Sequence, residues 1–270
     1  MADTDKLFAG SIPEIYDRLL VPLIFEPYAR DLAERLAGLD PQSILETAAG
    51  TGVLTRAIAS RAPARARIVA TDLNQPMLDR AAARQADDGR IVWRQADALV
   101  LPFADQTFDA VACQFGVMFF PDKVRGYREA RRVLEPAGHL LFNVWDGIAD
   151  NVFAHVVTEA LASRFPEDPP RFMARVPHGY SDTGRIREEL RAAGFASVAV
   201  ETIEKTSRAA SARDVAIAFC QGTPLRNEIE SRIGSPLEEA TSIAADALQR
   251  RFGRGEVEAR MRAHVIFAGG

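Results

Sequence analysis

The stretch ETAAGTG, residues 46–52, lies between a short apolar run, SIL, and a segment with helical spacing, VLTRAIASRA. A glycine-rich turn between a strand and a helix brings free backbone N–H groups and the positive end of the helix dipole close to a ligand. Gly50 and Gly52 let the backbone approach such a ligand closely, because they carry no Cβ atom. The stretch therefore predicts a strand–loop–helix unit that binds a nucleotide or a related compound.

Outward from this loop, strand-like and helix-like segments alternate as far as residue 146. The strand-like runs are nearly continuously apolar, which is typical of a parallel sheet covered by helices on both faces. We therefore expect an α/β protein with a doubly wound, Rossmann-like sheet and right-handed crossovers. The predicted strands are residues 43–48, 67–72, 90–97, 107–118 and 139–146, and the predicted helices are residues 52–62, 75–86 and 122–135, the last stopping at Pro136 and Gly138.

Beyond residue 146 this alternation weakens, although a helix at 183–194 and strands at 196–204 and 261–269 continue it. We expect a single domain over residues 1–270 with helical cap elements at about 1–40, 147–180 and 211–258. In the first of these, Pro22 and Pro27 predict two or three short helices. The proline-rich run FPEDPPRFMARVPHGY, residues 165–180, is long for a connection and is a candidate lid.

Composition excludes several classes of function. The net charge is −4 and the lysines and arginines are scattered, which argues against a nucleic-acid partner. No apolar run approaches the roughly 18 residues of a membrane helix, and the start, MADTDKLFAG, does not resemble a signal peptide. Cys113 and Cys220 lie far apart without metal-ligand spacing, so we expect buried thiols, no metal site and a cytoplasmic location.

Polar residues at the ends of the next two strands predict the rest of the ligand site. Asp72 ends the second strand, where a carboxylate can accept both hydroxyls of a ribose, although it could instead cap the following helix. Asp97, at the end of the third strand, could accept a hydrogen bond from an adenine amino group. Leu73 and Met77 could cover the faces of the purine. Together these residues predict an adenosine across the strand ends.

Two classes of ligand share an adenosine. A dinucleotide requires G-x-G-x-x-G, and Thr55 stands at the position of the third glycine. Glu46, at the end of the first strand, would repel a pyrophosphate but suits a ligand with an ammonium group. The residues favour S-adenosylmethionine, which carries an adenosine, an amino-acid tail and a sulfonium.

Four stretches carry a resemblance to a known family: ETAAGTG (46–52), ATDLNQPML (70–78), RQADALVLPFADQTFDAVACQFGVMFF (94–120) and YREARRVLEPAGHLLF (127–142). In this order they resemble the class I S-adenosylmethionine-dependent methyltransferases, most closely the ubiquinone/menaquinone-biosynthesis-like group that acts on small molecules. The resemblance is strong over about residues 40–146. It implies the strand order 3-2-1-4-5-7-6, with the last strand antiparallel.

The resemblance also implies roles for matching residues. Glu46 and the region of Gly50 would face the methionine end of the cofactor, and Asp97 with Ala98 would meet the adenine edge. Gln114, at the end of the fourth strand, would border the methionine amino group and the substrate. Tyr16 resembles an N-terminal aromatic residue that covers the cofactor tail.

Ala48 departs from the family pattern, which has a glycine at this position. A methyl group there is acceptable where φ is negative and costly where it is positive. We expect Ala48 to be a tolerated variant within the cofactor site.

The acceptor and the catalytic groups are less well specified. The aromatic residues Phe115, Phe119, Phe120, Trp145 and Tyr180 could line an apolar substrate pocket or pack in the core. His178 and His155 are candidates for a general base, and structural roles are the alternative. Because a sulfonium leaves as a neutral thioether, methyl transfer by in-line displacement depends mainly on proximity and orientation.

We expect a methyltransferase that acts on a small, partly apolar acceptor. The alternatives are a nicotinamide-dependent oxidoreductase and a non-catalytic protein that binds S-adenosylmethionine. The accepting atom and the oligomeric state stay open.

Overall fold

The computed structural model describes residues 12–85, 87–232 and 236–270, so expectations for residues 1–11, 86 and 233–235 lie outside the described residues. The helices are α1 (Ile12–Ile15), α2 (Glu26–Ala37), α3 (Val53–Ala59), α4 (Gln75–Arg84), α5 (Lys123–Val133), α6 (Val152–Arg164), α7 (Phe172–Arg175), α8 (Thr183–Ala192), α9 (Ala212–Gln221), α10 (Leu225–Glu230) and α11 (Leu237–Phe252), with a π-helical segment at Tyr16–Phe25. The strands are β1 (Ser43–Glu46), β2 (Arg67–Asp72), β3 (Ile91–Gln95), β4 (Phe108–Gln114), β5 (Leu134–Trp145), β6 (Ser197–Ala209) and β7 (Val257–Gly269). Within the described residues, no helix is long and apolar enough to cross a membrane.

The strands form one sheet in the order β3-β2-β1-β4-β5-β7-β6, with the last strand antiparallel, as predicted. β1 lies between β2 and β4 and pairs with both in parallel, with Glu46 opposite Ala70 and Ala112. β2 pairs in parallel with β3, so that Asp72 lies opposite Gln95. The carboxyl ends of β1, β2 and β3 therefore share one edge of the sheet, which is where a doubly wound fold binds its ligand.

The chain groups into two compact units. The sheet unit comprises residues 26–144, 181–203 and 263–270, and the helical unit comprises the described residues of 1–25, 145–180 and 204–262. The predicted cap elements fall mostly in the helical unit, but residues 26–37 belong to the sheet unit.

The core of the sheet unit is built from strands that are buried on both faces. Ile44, Leu45 and Ile68 are completely buried, as the near-continuous apolar runs predict. Helices α2 and α3 pack on each other and place Leu32, Leu36, Leu54 and Ile58 against the strands. These side chains form one buried cluster with Ile44 and Ile68.

The helical unit has an apolar core of its own. Helix α9 packs against α11 and α6, and the π-helical segment packs against α9. The proline-rich run predicted as a lid contains α7. Its backbone is held by Glu228 of α10, whose carboxylate accepts the N–H groups of Arg171 and Phe172 at 2.7 and 3.1 Å.

Three prolines behave differently from the sequence prediction. Pro22 lies inside the π-helical segment and does not interrupt it, and Pro27 is the second residue of α2, which follows that segment without a break. The predicted helix end at Pro136 and Gly138 is wrong, because α5 ends at Val133 and β5 already begins at Leu134. Pro136 fits within β5 because the pairing with β4 shifts register there, between Phe108 and Ala110.

Candidate active site

The loop after β1 has an unusual backbone. Ala48, Gly50 and Gly52 all have positive φ angles, 54°, 57° and 78°. The N–H groups at positions 49, 50 and 52 donate to Thr71 O, Asp72 Oδ2 and Ala49 O, at 2.8–2.9 Å. Because the protein itself engages these three donors, they do not offer a cradle for the phosphates of a dinucleotide.

The sequence analysis expects the methyl group of Ala48 to be tolerated where φ is negative, but φ at this residue is positive. An alanine in this left-handed region is strained. The surroundings accommodate the methyl group through Gly116, where an added Cβ would overlap the Cβ of Ala48 and lie 2.8 Å from Cys113 Sγ. Ala48 is therefore built into the loop with Gly116 as its packing partner.

Glu46 is almost completely buried at the end of β1. The hydroxyl of Thr55 donates to Glu46 Oε2 at 2.6 Å, and that of Thr71 donates to the Glu46 backbone carbonyl at 2.9 Å. Burial raises the pKa of Glu46 to about 8, although Thr55 and the charge of Arg56 oppose the shift. A cation beside this carboxyl group would favour its ionised form.

Asp72 ends β2 beside the loop and is 7% exposed. One carboxylate oxygen accepts the N–H of Gly50 and the other accepts the N–H of Asn74, both at 2.8 Å. Burial raises the pKa of Asp72, and both N–H groups oppose that shift. The residue before α4 is Asn74, so Asp72 is not the N-cap of that helix. Each carboxylate oxygen can accept more than one hydrogen bond, which leaves capacity for a ribose hydroxyl.

The predicted adenine contacts lie after β2 and β3. Asp97 is exposed, and its side chain accepts the N–H of Leu99 at 2.9 Å, which orders this turn. Ala98 follows it and is half-buried. Leu73 is 47% exposed and presents an open apolar face, whereas Met77 is 3% exposed and belongs to the core beneath α4.

The segment after β4 carries Gln114 and three aromatic residues predicted to contact the ligands. Gln114 is nearly buried at the end of β4. Phe115 packs edge-on against Tyr28, with ring centroids 5.5 Å apart, and its N–H donates to Asn143 Oδ1. Phe115 is thus a core residue, whereas Phe119 and Phe120 are half-buried.

The other predicted residues, Tyr16, Trp145, His155, His178 and Tyr180, belong to the helical unit. Trp145 is buried, with its ring 6.0 Å from that of Phe25 and 6.1 Å from that of His178. His178 is buried, and its Nδ1 lies 2.9 Å from the backbone oxygen of Asp146. Burial lowers the pKa of His178 to about 4. Tyr180 is buried, and His155 is half-buried on α6.

Sequence reasoning missed two residues that shape the cofactor loop. In the sequence, Thr55 stands at the position of the third glycine of a dinucleotide fingerprint, and in the structure its hydroxyl donates to the Glu46 carboxyl group. Arg56 donates from Nη1 to Thr51 O at 2.7 Å and so closes the loop from the helix side. A threonine and an arginine in the first turn after the loop are the sequence signal, but which groups they contact depends on the folded backbone.

Comparisons with known proteins agree with this arrangement. A family model described as a methyltransferase domain matches residues 45–142. The ubiquinone/menaquinone biosynthesis C-methyltransferase UbiE of Paraburkholderia phymatum is 34% identical over 164 residues, which are 57% of this chain and 68% of that protein. The demethylmenaquinone methyltransferase of Deinococcus radiodurans is 33% identical over 157 residues, 56% of this chain and 64% of that protein.

Solved structures share the fold at lower identity. The YcgJ protein of Bacillus subtilis gives a TM-score of 0.55 at 17% identity and covers 88% of this chain and 97% of that one. The phosphoethanolamine N-methyltransferase 2 of Haemonchus contortus gives 0.52 at 17% identity, over 97% of this chain and 61% of that one. The sheet order, the loop and an identity of 34% across two thirds of a relative establish that this chain belongs to the class I S-adenosylmethionine-dependent methyltransferases of the ubiquinone/menaquinone-biosynthesis type.

Proposed function

We propose that this methyltransferase modifies a small, partly apolar acceptor, and that it acts mainly by holding its two reactants close, aligned and away from water. The observation that carries this proposal is the arrangement after β1 and β2. Two buried carboxyl groups, Glu46 and Asp72, flank a loop whose N–H groups at positions 49, 50 and 52 already have protein acceptors. Such a site suits a ligand with hydroxyl and ammonium groups better than a ligand with phosphates.

The residues fit S-adenosylmethionine in specific roles. Glu46 would meet the ammonium group, and Asp72 would accept the ribose hydroxyls. Asp97 and Ala98 would meet the adenine edge, with Leu73 over the face of the ring. When bound, this cofactor supplies a sulfonium methyl group whose leaving group is a neutral thioether, so the protein has no need to supply an acid.

The proposal for the acceptor is based on the names of the matched relatives. The names of the matched relatives specify C-methylation and a demethylmenaquinone, and by analogy we propose a carbon atom of an aromatic acceptor here. Phe119 and Phe120, which follow β4 in the sheet unit, are candidate contacts. We assign no general base. Burial lowers the pKa of His178 to about 4, so this histidine takes up a proton poorly at neutral pH.

The proposed cofactor role is tested by calorimetry with S-adenosylhomocysteine and NADH in parallel. We expect S-adenosylhomocysteine to bind and NADH not to bind. Binding of NADH with no binding of S-adenosylhomocysteine would overturn the assignment. Transfer of an isotope-labelled methyl group to aromatic acceptors then separates an enzyme from a protein that only binds the cofactor.

A further inference from the structure

The turn that follows β4 has a backbone as unusual as that of the loop after β1. Phe115, the first residue after β4, has a φ of 51°, in the left-handed region that residues with a side chain rarely adopt. Its ring packs edge-on against Tyr28 of α2, with ring centroids 5.5 Å apart. Because this backbone conformation is strained for a phenylalanine, it requires support from the surrounding contacts.

Asn143, on the neighbouring strand β5, provides such support. It is completely buried and lies beside Gln114, the last residue of β4. The N–H of Phe115 donates to two oxygens of Asn143, the side-chain Oδ1 at 3.0 Å and the backbone oxygen at 3.2 Å. These two acceptors hold the peptide group before Phe115 in one orientation.

The other half of the Asn143 amide is unpaired. Since Oδ1 accepts from Phe115, Nδ2 points away from that residue, and it has no hydrogen-bond partner in the part of the chain that the structure describes. A buried donor without a partner costs stability, and a valine in this strand would avoid that cost. Stability alone thus does not account for an asparagine at this position.

The turn after β4 also contacts the loop of residues 46–52. Gly116 lies so close to Ala48 that a Cβ added at Gly116 would overlap the Cβ of Ala48. Ala48 has a left-handed φ of 54°, and the N–H groups of the next two residues donate to Thr71 O and Asp72 Oδ2. The position of Gly116 therefore limits where the methyl group of Ala48, and with it the loop, can lie.

We propose that Asn143 is a positioning residue for the cofactor. By holding the turn after β4, it keeps Gly116 against Ala48 and so keeps the loop in the conformation that binds S-adenosylmethionine. All of these contacts lie within the sheet unit. The inference rests on the proposed function in one respect, namely that residues 46–52 bind this cofactor.

The test compares two substitutions of Asn143 by calorimetry with S-adenosylhomocysteine. Asn143→Val removes the side-chain acceptor and the unpaired donor, and leaves the Phe115 N–H its backbone acceptor. We expect it to bind about 5- to 10-fold more weakly, the effect of one hydrogen bond, while its melting temperature stays within about 3 °C of the wild type. Asn143→Asp has the shape of asparagine and keeps an acceptor, so it should not weaken binding.

Asn151→Val is the matched control. Asn151 is also buried and its side-chain oxygen also accepts a backbone N–H, that of Arg262 at 3.1 Å, but it lies in the helical unit. Its amide nitrogen donates to Asp146 O at 3.1 Å, so this substitution should lower the melting temperature more than Asn143→Val does. The affinity for S-adenosylhomocysteine should stay that of the wild type.

Ala48→Gly tests whether the effect depends on the contact with Gly116. In this background, Asn143→Val should weaken binding less than about 2-fold, because the methyl group that touches Gly116 is gone. The methyl signal of Ala48 in ¹³C NMR, assigned by its loss in Ala48→Gly, should shift in Asn143→Val without any cofactor and should not shift in Asn151→Val.

Unchanged affinity in Asn143→Val, an equal loss in Asn143→Asp, an equal loss in the Ala48→Gly background, or an unshifted Ala48 signal would each overturn the inference. Absence of S-adenosylhomocysteine binding in the wild type would instead remove the proposed function, and the cofactor role of Asn143 with it, even where the Ala48 signal shifts.

Discussion

The loop of the sheet unit and a small apolar cavity of the helical unit differ in how the chain builds them. The loop is seven consecutive residues, 46–52, completed by the neighbouring strand end at Asp72. The cavity is lined by residues as far apart in sequence as Ile24 and Met261. The loop depends on backbone conformation and two buried acids, whereas the cavity depends on apolar walls and one neutral ring, that of His178. Binding at the loop should therefore respond to charge and pH.

The largest expected effect is at Asp72. Asp72→Ala removes the proposed ribose acceptor and leaves the N–H groups of Gly50 and Asn74 without their partner. We expect affinity for S-adenosylhomocysteine to fall about 30- to 100-fold, since hydrogen bonds to charged groups contribute about 1.5–3 kcal/mol each. Calorimetry measures this. The exposed Asp79→Ala on α4 controls for the change in net charge, and equal affinity in both variants would remove the ribose role.

Glu46→Gln should weaken the affinity for S-adenosylhomocysteine about 10-fold at pH 8, because the ammonium group loses a nearby charge.

The same substitution should increase the stability of the folded protein at pH 8. The pKa of Glu46 is about 8 in the folded protein against an ordinary 4.5, so its contribution to stability is greatest below pH 4.5 and is lost as pH rises towards 8. Between pH 5 and pH 8, the free energy of unfolding, measured by denaturation, should fall less for Glu46→Gln than for the wild type. An equal loss would contradict the buried acid.

The pairing of Ala48 with Gly116 can be tested by a double-mutant cycle. Gly116→Ala should lower the free energy of unfolding by about 2 kcal/mol, because the new Cβ overlaps that of Ala48 and crowds Cys113. Ala48→Gly should restore about half of this loss in the double variant. Purely additive effects in urea denaturation would show that the two residues do not share this space.

The smallest expected effect is at Thr55. Thr55→Val keeps the shape of the side chain and removes the hydroxyl that donates to Glu46. The pKa of Glu46 should rise further, and affinity for S-adenosylhomocysteine at pH 7 should fall about 3-fold. Titration of affinity against pH measures both. An unchanged profile would mean that Thr55 only fills space.

Much of the sheet unit could be predicted from the sequence, because its strands are continuous apolar runs and its loop is marked by glycines. The end of α5 could not be predicted, because a register shift between β4 and β5 lets Pro136 lie in a strand. Residues next to a helix end do not indicate how the following strand pairs with its neighbour. The left-handed φ of Ala48 was missed because it depends on the bond from the Ala49 N–H to Thr71 O and on the space beside Gly116.

The cavity could not be predicted, because its chemistry depends on contacts distant in sequence. His178 was named as a candidate base from its position in a loop. Its actual partner is the carbonyl of Asp146, 32 residues earlier, and its burial among apolar groups is a property of the whole helical unit. The same holds for Thr55, whose role follows from the direction of α3 relative to β1.

The most direct test of the central claim is the number of protons released when S-adenosylmethionine binds at pH 7, measured by calorimetry in buffers of different ionisation enthalpy. With a pKa of about 8, Glu46 is mostly protonated before binding, and an ammonium group beside it should expel that proton. We predict release of close to one proton in the wild type and none in Glu46→Gln. Tight binding with no proton release in the wild type would contradict the placement of the charged tail beside Glu46.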